Sequence, residues 1–171
     1  MRRTPAAVGS AIFFAAVPGT VAVLVPWWIT HWEAHTPFPG GIMIPIRVAG
    51  GLLALAGLAV LIHAFTRFVV EGLGTPLPAA PPERLVVGGL YRHVRNPMYV
   101  AVLVAVLGQA LLLAQPSLLV YALVVLVPVV SFVRWYEEPT LHRLFGAEYD
   151  RYRAAVPGWW PRLHPYVAKE S

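Results

Sequence analysis

The stretch Gly88-Gly89-Leu90-Tyr91-Arg92-His93-Val94-Arg95-Asn96-Pro97-Met98-Tyr99 gathers two arginines, a histidine and two tyrosines. The 34 residues after it, Val100 to Val133, hold no Asp, Glu, Lys or Arg, and Arg134-Trp135-Tyr136-Glu137-Glu138 closes that run. If the run folds back on itself, the two polar knots meet at a membrane surface. Together they offer guanidiniums (Arg92, Arg95, Arg134), carboxylates (Glu137, Glu138), phenols (Tyr91, Tyr99, Tyr149) and the His93 imidazole. Such a set suits a zwitterionic ligand. Carboxylates bind an amine or ribose hydroxyls, arginines pair with a carboxylate or phosphate, and aromatic faces favour a cation such as a sulfonium. Glu137 and Glu138 sit at adjacent helical positions and cannot face one point, so one contacts the ligand and the other holds structure. On residue types alone, the same knots also read as interfacial anchors without chemistry.

Composition sets the solvent in which these knots work. Of 171 residues, 58% are hydrophobic and 12% charged, with a mean hydropathy of +0.65. Soluble domains carry about 25% charged residues, so the chain reads as one integral membrane domain. There are no cysteines, which excludes disulfides, thiol nucleophiles, Cys-ligated zinc and iron–sulfur clusters. The net charge of +5 fits a basic membrane rim, and no soluble basic domain is present to dock on nucleic acid. His31 and His35 have a four-residue spacing, but Pro37, Pro39, Gly40 and Gly41 make that stretch a loop. No metal site is expected.

Four apolar helices are predicted to position the knots. Ala6 to Trp28 is a first span, too long for a signal peptide's apolar core, with a kink at Pro18-Gly19 and Trp27 and Trp28 at the interface. Ile42 to Phe68 holds the second, with Pro45 in its first turn, Arg47 reaching the headgroups, and small residues Gly50, Gly51, Ala54, Ala56 and Gly57 for close packing. His63 near its far end is a candidate to face the site. Val69 to Glu83, rich in Gly and Pro, is a connector. Gln115-Pro116-Ser117 alone interrupts the long run, giving helices Pro97 to Ala114 and Ser117 to Arg134, about 27 Å each. That antiparallel hairpin puts Tyr99 and Arg134 on one side. Pro128 is placed to bend the last span. Beyond it, Leu141, Phe145, Tyr149, Tyr152 and Val156 share one face of a predicted surface helix that Pro157-Gly158 ends; Trp159 and Trp160 add an anchor. The arginines outside Arg47 fall on one side of four spans, so the positive-inside rule puts both termini and both knots in the cytoplasm; scarce Lys beside abundant Ala, Val, Pro and Arg points to a bacterial inner membrane.

The ordered pattern Gly89-x-Tyr91-x-x-x-Arg95-Asn96-Pro97-x-Tyr99, a hairpin, then Arg134-x-x-Glu137-Glu138-x-x-Leu141-x-x-x-Phe145-Gly146-x-x-Tyr149-x-x-Tyr152-x-x-x-Val156-Pro157 resembles the isoprenylcysteine carboxyl methyltransferase and phospholipid methyltransferase family. The match covers roughly 82–161. The resemblance implies an all-α multi-pass enzyme that binds S-adenosylmethionine from the cytosol and takes a lipophilic or lipid acceptor from the bilayer. By position, Tyr91, His93, Val94, Arg95, Asn96, Pro97 and Tyr99 would frame the cofactor, Glu137 and Glu138 would lie near its polar groups, and Leu141 and Tyr149 would pack its pocket. Arg134 would orient the acceptor, with Arg95 and Glu138 as its companions in catalysis. The family often has His where this chain has Asn96, and an amide cannot take a proton. With no evident base, an acceptor already ionised at pH 7, such as an isoprenoid carboxylate, is expected ahead of a lipid amine. Two rivals stand beside this reading: an NADPH-dependent membrane reductase of the sterol-reductase type, usually a much longer chain, and a non-enzymatic protein that binds a lipid or partner.

Overall fold

The structure, a computed structural model, describes residues 16–72 and 84–167. Expectations on the start of the first span, Arg2, Arg3 and most of the connector lie outside those residues. Among the described residues every regular element is helical. In order they are α1 (Ala16–Thr30), α2 (Gly40–Gly72), a 3₁₀ turn (Gly89–Arg92), α3 (Pro97–Leu113), α4 (Pro116–Phe132), a π turn (Val133–Glu137), α5 (Glu138–Phe145) and α6 (Ala147–Ala155). Gly40–Phe68 and Pro116–Phe145 are each long and apolar enough to cross a bilayer, while Ala16–Thr30 and Pro97–Leu113 are shorter apolar helices. Their outer faces present large apolar side chains, among them Leu52, Leu55, Leu123 and Val127.

The hairpin turns where its composition demands. Ala114 takes a left-handed conformation (φ +52°) and Pro116 opens α4, a position where its missing N–H costs nothing. Val106, Ala110, Leu113, Leu118 and Ala122 fill the seam between the two arms. The most extensive packing joins α2 to α3. It depends on glycine: a Cβ at Gly57 would lie 2.7 Å from the backbone N of Ala105 and 2.9 Å from Ala101 O. The two backbones therefore touch, as small residues permit in lipid. The loop between α1 and α2 is tied down rather than loose. Arg47, expected to reach the headgroups, instead donates from Nη2 to His35 O (2.8 Å) and Thr36 Oγ1 (3.1 Å), and Gln115 Nε2 donates to Glu33 O (2.9 Å).

The expected kink in α1 takes the form of a π turn over Thr20–Leu24. There the backbone N–H of Val25 bonds Thr20 O, and Pro26 has no N–H to give to Ala22. Val21 O and Ala22 O thus lose their ordinary donors inside an apolar bundle, where an unmet carbonyl is costly. Neighbouring helices answer both: Tyr121 OH donates to Val21 O (2.9 Å) and Gln109 Nε2 to Ala22 O (2.7 Å). Gln109→Leu should therefore cost about 1 kcal/mol and lower the melting temperature of detergent-solubilised protein by a few degrees. An unchanged melt would mean the carbonyl finds another donor.

The expected single amphipathic helix is two. Gly146, at φ +50°, separates α5 from α6, and this left-handed conformation suits glycine. The apolar face still works as one surface: Tyr149, Tyr152 and Val156 are buried together, with Leu141, Phe145, Leu85 and Val87 against them.

Candidate active site

The sharp turn into α3 is held by the end of the chain. Residues 157–166 run beside 92–96 and bond it repeatedly. Arg95 N–H donates to Pro157 O (2.9 Å), Asn96 N–H to Gly158 O (3.2 Å), Arg162 N–H to His93 O (2.9 Å) and Tyr166 N–H to Arg92 O (2.9 Å). Side chains add to the seam. Asn96 Nδ2 donates to Gly158 O (3.1 Å), Arg92 Nε to Tyr166 O (2.6 Å) and Tyr152 OH to Tyr91 O (2.7 Å). His93 Nδ1 lies 2.8 Å from Arg162 O, and because a carbonyl only accepts, Nδ1 carries the proton. A Cβ on Gly158 would sit 3.2 Å from Arg95 Nη2, so the strap passes close over the guanidinium.

The strap and the hairpin fix two rungs between the polar knots. On the first, Arg95 Nη1 donates to Glu138 Oε1 (2.7 Å) and to Tyr149 OH (3.1 Å), while Arg153 Nη2 is 3.2 Å from Glu138 Oε2. The Arg95 and Glu138 side chains are 14% and 13% exposed, a setting in which a charge pair is not screened as it would be on a surface. On the second rung, one turn along α3, Tyr99 OH donates to Glu137 Oε2 (3.0 Å). Adjacent glutamates thus meet different partners, as their helical positions require. The π turn at Val133–Glu137 sets where they point. Burial first, and then the Glu138 charge, pushes the Tyr149 phenol above its ordinary pKa, so it stays protonated beside Arg95.

Beyond Tyr99 the environment turns apolar. A cavity of about 300 Å³ opens between α1, α2, α3 and α4, walled by Pro18, Phe65, Met98, Val129, Phe132 and their neighbours, and Tyr99 carries the one polar side chain among its lining residues. A polar cluster and an apolar cavity therefore share Tyr99 as their boundary.

The structure sorts the sequence-predicted residues into three groups. Arg95, Tyr99, Glu137, Glu138 and Tyr149 come together. His93 and Asn96 bond the strap, Tyr91 O accepts from Tyr152, and Val94 and Pro97 are buried beside them; Asn96 is 7% exposed and its amide is spent on Gly158 O, so this position builds structure. Leu141 packs against the Tyr149–Tyr152 cluster. Arg134 is not brought in: it is exposed and makes no hydrogen bond or ion pair with a described residue. His63 is likewise outside, its Nε2 close against Gly89. Sequence reasoning missed Arg153 as the second cation on Glu138 and the strap of 157–166. The spacing of Arg153 from Tyr149, one turn, was the available signal for the first.

The donor set accommodates a carboxylate-bearing ligand. Arg95 Nε is buried and has no acceptor among the described residues, which leaves a guanidinium N–H for an anionic group.

A family model described as phospholipid methyltransferase matches residues 45–148, more than half of the chain and a range that includes Arg95, Tyr99, Glu137 and Glu138 but ends before Tyr149 and Arg153. No curated protein matches the sequence.

Proposed function

Because the chain belongs to the phospholipid methyltransferase family, we propose that it transfers a methyl group from S-adenosylmethionine to a lipophilic acceptor held within the bilayer. The observation that supports this reading is Tyr99, set between the Arg95–Glu138 cluster and an apolar cavity. A water-soluble donor and a lipid acceptor need such a boundary if they are to meet. The residues present fit the cofactor. Arg95 offers its unmet Nε to the carboxylate, with Glu138 and Tyr149 holding the guanidinium in place and Arg153 holding Glu138. When bound, S-adenosylmethionine supplies a methyl group on a cationic sulfur. The chain's part is to orient that group toward the cavity, exclude water, and hold the acceptor in line, so positioning and electrostatics carry the rate.

In this proposal α1 to α4 all cross the bilayer. The cluster then lies on the cytoplasmic side with Arg84, Arg92, Arg143 and Arg151, and Arg47 lies opposite, in keeping with the positive-inside rule.

Calorimetry on the detergent-solubilised protein tests the cofactor. Micromolar binding of S-adenosylmethionine and S-adenosylhomocysteine, with none of NADPH, is the expected result. Binding of NADPH alone would replace the proposal with a membrane reductase.

A further inference from the structure

A second apolar space lies toward the opposite end of the bundle. It measures about 410 Å³, sits between α1, α2 and α3, and is lined by Val23, Ala54, Leu58, Leu112 and Leu113 among others. Beside it a third, of about 540 Å³, runs along α1 from Gly19 to Trp27. Val23 and Trp32 line both, so the two form one groove. Val23, Leu55 and Leu58 are exposed, which leaves the groove open to lipid. Gln109 is the one amide in its lining, and its Nε2 is spent on Ala22 O (2.7 Å) and Ala105 O (3.3 Å). Within a bilayer such a groove takes hydrocarbon.

The end of the groove is built around a cation. Arg47, Ala54, Leu58 and Leu61, at spacings of 7, 4 and 3, share one face of α2, with Arg47 about 10 Å beyond Ala54. The loop that carries Trp32 closes over this end. His35 N–H donates to Leu113 O (2.9 Å), and His35 O accepts from Arg47 Nη2 (2.8 Å). Arg47 is thus held in place, yet no carboxylate pairs with it among the described residues. Its Nε is buried without an acceptor among them. A fixed guanidinium with an unmet N–H suits a phosphate. The loop also carries strain: His31 and Trp32 have φ of +48° and +56°, uncommon for residues other than glycine. Thr30 Oγ1 holds the turn, accepting from Trp32 N–H (3.1 Å) and donating to Pro26 O (2.8 Å).

We propose that this groove binds a phospholipid of the leaflet opposite the Arg95 cluster, with its phosphate at Arg47 and an acyl chain between α1 and the α2–α3 pair beside Trp32. The site is separate from the cavity at Tyr99. It rests on the four-span arrangement and not on methyl transfer. α2 and α3 hold each other by backbone contact, whereas α1 faces them across the groove. A lipid there fills the gap and stabilises the bundle, as any ligand of the folded state does.

The test uses the full-length protein in mild detergent. Dioleoylphosphatidylglycerol is the probe, and dioleoylglycerol, which lacks phosphate, is the comparison. Binding is read by native mass spectrometry, with melts in parallel. One phospholipid should bind and raise the melting temperature by a few degrees, and dioleoylglycerol should bind about 10-fold more weakly. Val23→Trp fills the groove from an exposed position and should weaken phospholipid binding about 10-fold or more. Arg47→Gln should abolish the preference for phosphate. Leu103→Trp fills the cavity at Tyr99 instead and should leave affinity within about threefold. Unchanged binding by Val23→Trp, loss in Leu103→Trp alone, or equal affinity for the two lipids overturns the proposal. So does a lipid-free wild-type dimer that Val23→Trp dissociates, which would put a second copy of the chain in the groove. Gly40→Cys checks the premise, because the chain has no other cysteine and a Cβ there meets nothing. A membrane-impermeant maleimide should label it from outside intact cells. Labelling only after lysis would overturn the four-span reading and the site together; failure of the lipid arms with outside labelling removes the site alone.

Discussion

Arg95→Ala is expected to weaken S-adenosylmethionine binding about 100-fold and to reduce methyl transfer at least as much. Arg95 joins three things at once: Glu138 and Tyr149 at its Nη1, and the strap carbonyl of Pro157 through its backbone. Loss of the guanidinium removes the donor proposed for the cofactor carboxylate, and a charge-assisted hydrogen bond of this kind contributes roughly 2–5 kcal/mol when its partner is left buried and unpaired. It also leaves Glu138 with Arg153 alone, whose side chain is 50% exposed and so a weakly coupled partner. Removal of one member of a largely buried pair destabilises by about 3–5 kcal/mol, so some of the loss will appear as a lower melting temperature. Glu138→Gln separates the two effects. It keeps the side-chain shape and leaves Arg95 in place, and its melt is expected to fall less than that of Arg95→Ala. Calorimetry and thermal melts of the three proteins together check the assignment; wild-type cofactor affinity in both variants would remove Arg95 and Glu138 from the site.

Gly108→Val should strongly destabilise the folded bundle. A Cβ at Gly108 would meet the backbone N of Ala54, and would lie 2.7 Å from Ala54 Cα and 2.8 Å from Gly50 O. These are backbone atoms and cannot swing aside, so α2 and α3 must separate along their length. Overpacking costs about 1–3 kcal/mol even where side chains can adjust; a branched side chain against two backbone segments should exceed that, and lower the melting temperature by about 10 °C or more. Gly51→Ala is the internal control. Its Cβ would find only Leu112 Cδ1, at 3.8 Å, an ordinary contact, and its melt should match wild type. Equal stability of the two variants would show that the α2–α3 approach does not carry the fold.

The features that proved legible were those written in composition. Gln115-Pro116-Ser117 is the one interruption in a long uncharged run, so the hairpin could be placed to within a residue or two. The hairpin then put Tyr99 and Arg134, and with them the two polar knots, on one side; the pairs Arg95–Glu138 and Tyr99–Glu137 emerge only in the structure. Divergence of the two glutamates followed from helical geometry alone. What stayed hidden depends on long-range backbone pairing or on single torsions. The strap of 157–166 bonds to 92–96 mainly through backbone groups, which leave no side-chain pattern, so Pro157-Gly158 read only as a stop. Gly146 broke the amphipathic helix by adopting a positive φ while the apolar period ran on through it. Arg134, three residues before the glutamates in the same polar knot, looked like part of the site. Its exposure depends on the π turn at Val133–Glu137, which shifts the helical register just there and cannot be read from spacing.

The central claim is that the cluster at Arg95 delivers a methyl group to an acceptor in the membrane. The most direct measurement incubates the wild-type protein and Glu138→Gln with tritiated-methyl S-adenosylmethionine and lipid vesicles, then counts label in the extracted lipid phase. Time-dependent label with wild type and a loss of about 100-fold in the variant are expected. Equal labelling by both proteins would contradict the site, and no lipid label from folded wild type that binds the cofactor would contradict the acceptor.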